Sequence, residues 1–135
     1  KKQQFLTLGN LYAIRDWGHA KDYVESMWKI LQYKKPDDWV IATNEEMTVK
    51  EFINKCAKKL NITLQWKFKG IKEIAIDKNS KKTIIKIDKK YFRPGEVDFL
   101  KGDYSKAKKL LKWKPKYKSD DLINDMIEYE KDLYE

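Results

Sequence analysis

At 135 residues, with 41% apolar and 13% aromatic side chains, the chain suits one domain with a core of its own. A single cysteine, Cys56, excludes an internal disulfide framework and fits a reducing compartment, and no apolar run approaches the length of a membrane span. The net charge of +9 admits anionic partners such as phosphates, nucleotides, nucleic acid or a membrane surface, yet most lysines (KNSKK, DKKY, KWKPKYK) are scattered beside acids, as on a solubilising face.

In chain order, KKQQFLTL lacks an initiator Met and a signal-peptide core, and reads as the interior of a longer protein. Phe5 to Leu8 reads as a short strand closed by Gly9-Asn10, and Ile14 to Trp17 as a second extended piece. A helix follows over 20–33, with Tyr23, Val24, Met27, Trp28 and Leu31 at helical spacing and a stop before Pro36. Trp39-Val40-Ile41-Ala42 is a continuous apolar run, the pattern of a strand buried on both faces. Thr48 and Glu51 form a capping box that opens a helix to about Leu60, stopped at Asn61.

Leu64, Trp66 and Phe68 alternate with polar residues as a half-buried strand. Ile74–Ile76 and Thr83–Ile87 flank a polar turn and read as an antiparallel hairpin. An irregular loop, Tyr91 to Val97, leads to a short helix over 104–111 capped by Asp103, and a last helix runs over 120–133 behind Ser119. No internal repeat or low-complexity segment is present.

Two loops could carry chemistry. Ile14-Arg15-Asp16-Trp17 sets one fixed cation between apolar neighbours at a loop-to-core junction, where a guanidinium can grip a phosphate; an Arg15–Asp16 surface pair is the plainer reading. Arg93-Pro94-Gly95-Glu96 holds a cation and an anion on one tight turn. That combination fits a nucleoside diphosphate, with the guanidinium on the diphosphate and the carboxylate on the ribose hydroxyls, or an internal Arg93–Glu96 pair. His19, the only histidine, stands at a helix start without a second ligand at metal spacing and reads as structural, and Cys56 reads as a small buried apolar residue.

The run RDWGHAKDYV, followed in order by DDWVIAT, YFRPGEVDFLKGD and SKAKKLLKWKPK, resembles the GDP-mannose 4,6-dehydratases, members of the extended short-chain dehydrogenase/reductase group. The resemblance covers nearly the whole chain and the C-terminal, substrate-binding part of such an enzyme. It implies an α/β fold, mainly helices with short strands and one β-hairpin excursion, over a single substrate-binding domain at 1–135. It also implies that Arg15 and Arg93 meet the diphosphate, that Glu96 meets the ribose, and that Asn10 and Leu8 (with Leu6) lie near the base. Asp16, Trp17 and Asp22 become supports that orient the arginine and cap the helix. Two departures stand out: Tyr12 replaces an acid usual in the family, and Lys112 replaces a glycine.

The family reaction is an internal redox elimination on GDP-mannose, giving GDP-4-keto-6-deoxymannose for GDP-fucose and related deoxysugars. The implied cofactor is NADP, on a Gly-rich dinucleotide fingerprint at a strand-to-helix turn. Neither that fingerprint nor a Tyr-x-x-x-Lys motif with the right surroundings occurs here, so the expectation is a lyase whose catalytic and cofactor-binding residues lie upstream, with no metal and no activity in this chain alone. The same resemblance implies a cytoplasmic homo-oligomer whose partner is a GDP-sugar, not nucleic acid or a membrane. The alternative reading is a stand-alone basic nucleic-acid-binding module, for which five tryptophans and many lysines provide stacking and phosphate contact, without a recognised nucleic-acid motif.

Overall fold

A computed structural model describes residues 3–93 and 95–134. The chain divides into two units, the first formed by Lys1–Ala13 with Thr48–Asp98, the second by Ile14–Met47 with Phe99–Glu135.

The first unit is built on a four-stranded mixed sheet. Its strands are β1 (Leu6–Leu8), β4 (Leu64–Lys67), β5 (Ile74–Asp77) and β6 (Thr83–Ile87), in the order β1-β6-β5-β4. β4, β5 and β6 run antiparallel in succession, while β1 joins β6 in parallel. The expected hairpin is present, and its turn is closed by one side chain: Asp77 accepts from the amides of Asn79 and Ser80 and from the Ser80 hydroxyl at 2.6–3.2 Å. Period-two alternation sorts the sheet into faces. Trp66, Ala75, Ile85 and Leu6 share one register row, and Lys67, Ile74, Lys86 and Thr7 the next, on the opposite face.

Helix α2 (Val49–Lys59) begins on the expected capping box, with the Thr48 hydroxyl and the Glu51 carboxylate exchanging bonds with each other's backbone amides. It ends at Asn61, whose φ of 57° permits the Ile62 amide to reach the Ala57 carbonyl. The Trp66 indole donates to Asn54 at 2.8 Å and ties β4 to this helix. Phe68 departs from the expected alternation. It lies beyond β4 with φ 64° and is exposed, because the chain must turn there into the 3₁₀ segment Gly70–Lys72.

The second unit carries β2 (Ile14–Asp16) paired with β3 (Glu46–Thr48), and helices α1 (Ala20–Leu31), α3 (Ser105–Leu110) and α4 (Ser119–Tyr134). Its core centres on Trp113, fully buried with Ala107 and Leu111 and surrounded by Ile30, Tyr33, Trp39, Ile41 and Tyr104. The Trp113 indole donates to the Asp22 carbonyl at 3.0 Å, so its one polar atom is satisfied inside.

Two sequence expectations fail here. The run Trp39–Ala42 belongs to no strand, and Val40 is 53% exposed; no strand among the described residues pairs with it. The apolar stripe of α1 is its outward face, with Val24 63% and Leu31 79% exposed, while Asp22 and Ser26 face inward. Polar anchoring decides that orientation. Asp22 accepts from the amides of Lys116 and Tyr117 at 3.0–3.1 Å, and the Ser26 hydroxyl donates to the Tyr23 carbonyl. Asp22 therefore braces the segment after Trp113; the helix cap is His19, whose Nδ1 accepts from the Lys21 amide.

Candidate functional site

In the first unit, β1 delivers the chain into the turn at Gly9-Asn10. Leu8 is half-buried, paired with Ile87, and its carbonyl accepts from the Asp88 amide at 2.9 Å. Position 9 must be glycine, since a Cβ there would stand 2.3 Å from the Tyr91 carbonyl oxygen. Asn10 folds its side chain back to accept from the Tyr12 amide at 2.9 Å, and its amide nitrogen lies 3.5 Å from an Asp98 carboxylate oxygen. The carbonyls of Leu11 and Ala13 accept from Lys50 and Val49, which occupies amides that the first turn of α2 would otherwise leave open.

The same turn is braced from below. The Tyr12 hydroxyl donates to both oxygens of Glu73, a carboxylate only 1% exposed, and the Lys50 ammonium donates to the same group while lying over the Trp66 ring at 4.5 Å. Burial pulls the Lys50 pKa down, but the bonds to Glu73 and Tyr12 outweigh it and hold the ammonium above the ordinary lysine value. A small cavity of about 70 Å³, lined by Gly9, Asn10, Tyr12, Gly70, Glu73 and Phe92, adjoins this brace. Sequence reasoning missed Glu73 and Lys50; the one signal near them was the unusual Tyr12, whose phenol supplies a proton to Glu73 where an acid would bring a second negative charge.

Arg93 to Glu96 forms a tight turn: the Glu96 amide donates to the Arg93 carbonyl at 3.2 Å, and Gly95 takes the φ of +69° that glycine tolerates. Pro94 lies outside the described residues. The Arg93 side chain is exposed and Glu96 is half-buried.

Arg15 lies in the second unit, half-buried on β2, with its guanidinium donating to the Ile14 carbonyl at 2.8 Å. Its neighbours fix that strand. Asp16 accepts from the Thr43 amide and hydroxyl and from the Asn44 amide at 2.8–2.9 Å, and the Trp17 indole donates to the Met47 carbonyl at 2.9 Å. Leu8, Asn10, Arg93 and Glu96 thus fall in one unit and Arg15 in the other.

His19 is buried. With Nδ1 accepting, Nε2 carries the proton and donates to Asp125 at 3.0 Å, which makes this histidine a tie to α4. Burial raises the Cys56 thiol pKa, leaving it an inert packing group. Among the described residues, no group of three or more His, Cys, Asp or Glu could hold a metal, and no helix is long and apolar enough to cross a membrane.

The family model described as GDP-mannose 4,6 dehydratase matches residues 1–126. The chain belongs to the GDP-mannose 4,6-dehydratase family. Relatives of that name are 47% identical over 126 residues in Dictyostelium discoideum, 47% over 127 in Homo sapiens and 41% over 126 in Sinorhizobium fredii. These matches cover 93–94% of this chain and 34–36% of the relatives, so the chain spans about a third of their length. Two solved structures share the fold at a TM-score of 0.67: RMD from Pseudomonas aeruginosa complexed with NADPH, and dTDP-glucose 4,6-dehydratase from Bacillus anthracis in complex with NAD. They are 15% and 19% identical and cover 94% and 95% of this chain, with 35% of each matched, and they place it in the expected α/β class of short-chain dehydrogenase/reductase folds. Family membership leaves the nucleic-acid reading without support.

This chain's own residues do not fit a nicotinamide dinucleotide. A dinucleotide pyrophosphate needs a Gly-rich turn opening onto free helix amides. Here α1 is capped by His19, and the first amides of α2 are taken by Leu11, Ala13 and Thr48.

Proposed function

We propose that this chain is the GDP-sugar-binding portion of a GDP-mannose 4,6-dehydratase, a hydro-lyase that converts GDP-mannose to GDP-4-keto-6-deoxymannose in GDP-fucose and related synthesis. Arg15 and Arg93 hold the diphosphate, Glu96 accepts from the ribose hydroxyls, and Asn10 and Leu8 border the base. The observation that carries this reading is the family match across residues 1–126, which includes both arginine motifs. The Arg93–Glu96 turn supports it: the internal backbone bond and the left-handed Gly95 keep two side chains of opposite charge on one tight turn.

Tyr12 and Glu73 support Asn10 from behind, and the Gly9 contact with Tyr91 holds the β1 turn against the segment that leads to Arg93. NADP, which would supply hydride acceptance and return, is assigned to residues that this sequence does not contain. The enzyme is a cytoplasmic homo-oligomer in this reading, and the chain by itself performs no dehydration.

Calorimetric titration of the 135-residue chain with GDP tests the assignment. Replacing Arg15 or Arg93 by Ala should each weaken GDP by about 2–4 kcal/mol, as for a lost charge-assisted pair at a closed site. Equal affinity in wild type and both variants would overturn it.

A further inference from the structure

The charge of this protein is not spread evenly. By sequence, the first unit has sixteen basic and six acidic residues, a net +10, and the second fourteen and fifteen, a net −1, so the chain's +9 comes entirely from the first unit. The two units also treat their lysines differently. In the second, many lysines meet carboxylates, among them Lys21 with Asp125, Lys106 with Asp37, Lys118 with Glu45 and Lys101 with Glu46, at 2.7–3.2 Å, while others such as Lys108 and Lys109 have no ion pair among the described residues. In the first, Lys78, Lys81, Lys82, Lys86, Lys89 and Lys90 are all exposed, and none has a carboxylate at ion-pair distance among the described residues. The acids closest in sequence are engaged locally, Asp77 closing the hairpin turn and Asp88 accepting from the Lys90 amide.

Register separates the two ends of this surface: β1 runs parallel to β6, so Lys86, Lys89 and Lys90 lie beside the β1 turn, whereas Lys78, Lys81 and Lys82 sit at the other end of the 5-residue strand β6, roughly 17 Å away and within reach of the field only where screening is weak. Lys86 pairs across from Thr7, and the 3₁₀ turn Lys89–Tyr91 presses the Tyr91 carbonyl against Gly9. Arg93 follows two residues later. Lys86 lies over the Phe5 ring and Lys90 over that of Tyr91, contacts that leave their charge in place; cations without a carboxylate at ion-pair distance raise the local concentration of an anion and its encounter rate, an effect that ion-paired lysines largely cancel.

We propose that the lysine-rich end of the β5–β6 hairpin is an attraction surface that speeds capture of a nucleoside diphosphate at the Gly9–Asn10 and Arg93–Glu96 turns. The proposal rests on the nucleotide-binding reading above and extends it from holding the ligand to gathering it. Lys78, Lys81 and Lys82 act through the field alone, so their charge governs the rate of association and not the lifetime of the complex.

The test is rapid-mixing fluorescence with a fluorescent GDP analogue and the full 135-residue chain, from about 0.01 M to about 0.15 M salt, over which the screening length shrinks from about 30 to about 8 Å. Reversal of the hairpin turn, Lys78→Glu with Lys81→Glu and Lys82→Glu, should slow association about tenfold at low salt, the lower end of the range for steering. It should leave dissociation unchanged and lose most of its effect at the higher salt. The control, Lys108→Glu with Lys109→Glu in the second unit, should have a much smaller effect.

Equal association rates for the two variants, or a change confined to dissociation, would overturn the steering while leaving the nucleotide site standing. Wild-type chain that is folded by circular dichroism yet binds no GDP would overturn the site, and the steering with it. Capture of a short RNA that is lost on hairpin reversal, with the GDP rate unmoved, would overturn the assignment in favour of nucleic acid.

Discussion

Each unit buries one carboxylate to the same degree, Asp22 in the second and Glu73 in the first, and each satisfies it by a different means. Asp22 accepts from two backbone amides of the segment after Trp113. Glu73 accepts from an ammonium and a phenol, those of Lys50 and Tyr12. Amides carry no proton that titrates and cannot be removed by changing their side chains. The Asp22 brace is therefore a property of the chain's path, whereas the Glu73 brace depends on two particular side chains, each of which must keep its proton to donate. Similar burial thus gives the two carboxylates different vulnerabilities.

The sharpest way to break the comparison is to take away the cation. Lys50→Ala leaves Glu73 buried without its counter-charge and should destabilise the protein by about 3–5 kcal/mol in urea unfolding, with the m-value retained. A loss below about 1 kcal/mol would mean that the Tyr12 hydroxyl suffices. Asp22→Asn comes next. It keeps the shape and one accepting oxygen but turns an amide group toward the Lys116 and Tyr117 amides, and should cost about 1–3 kcal/mol by the same measurement. If it cost as much as Lys50→Ala, the Asp22 charge itself would be doing what its oxygens are credited with here.

The smallest effect is in pH. The folded-state pKa of Lys50 lies above its unfolded value, so the stability it contributes is complete below the unfolded value of about 10.4 and is lost as pH rises through the folded one. Because Lys50 lies over Trp66, the Trp66 indole N–H resonance should report an alkaline transition above about pH 10.4 in the wild type, and Lys50→Met should abolish it. A transition that persisted in Lys50→Met would detach it from this pair.

What could be read from the sequence was what depends on near neighbours. The capping box at Thr48 and Glu51, the stop at Asn61, the hairpin around Asp77 and the tight turn at Gly95 each draw on residues a few positions apart, where local geometry decides. The inward face of α1 could not be read that way. Its decisive residue, Asp22, is fixed by amides 94 and 95 positions on, and apolar spacing alone points to the opposite face. The run at Trp39–Ala42 carries the composition of a buried strand without a pairing strand among the described residues.

For the site, the motifs marked Arg15, Arg93, Glu96, Asn10 and Leu8 as candidates, and the structure adds how their loops are held. The Glu73–Lys50–Tyr12 brace was invisible because Glu73 sits among lysines in a segment that reads as solvated. Only the register of β4 and β5 and the fold of the β1 turn bring its partners to it.

The outward stripe of α1 bears on how this chain behaves as a colloid. Val24, Met27, Trp28 and Leu31 form an apolar band on the unit whose net charge is −1, so molecules meeting through that band have almost no charge of their own to repel them there. What keeps molecules apart is the excess on the first unit, and that repulsion is of the kind salt screens, while apolar attraction survives screening. The protein should be most dispersed at low ionic strength and should cluster as salt is added, the reverse of proteins that salt brings into solution.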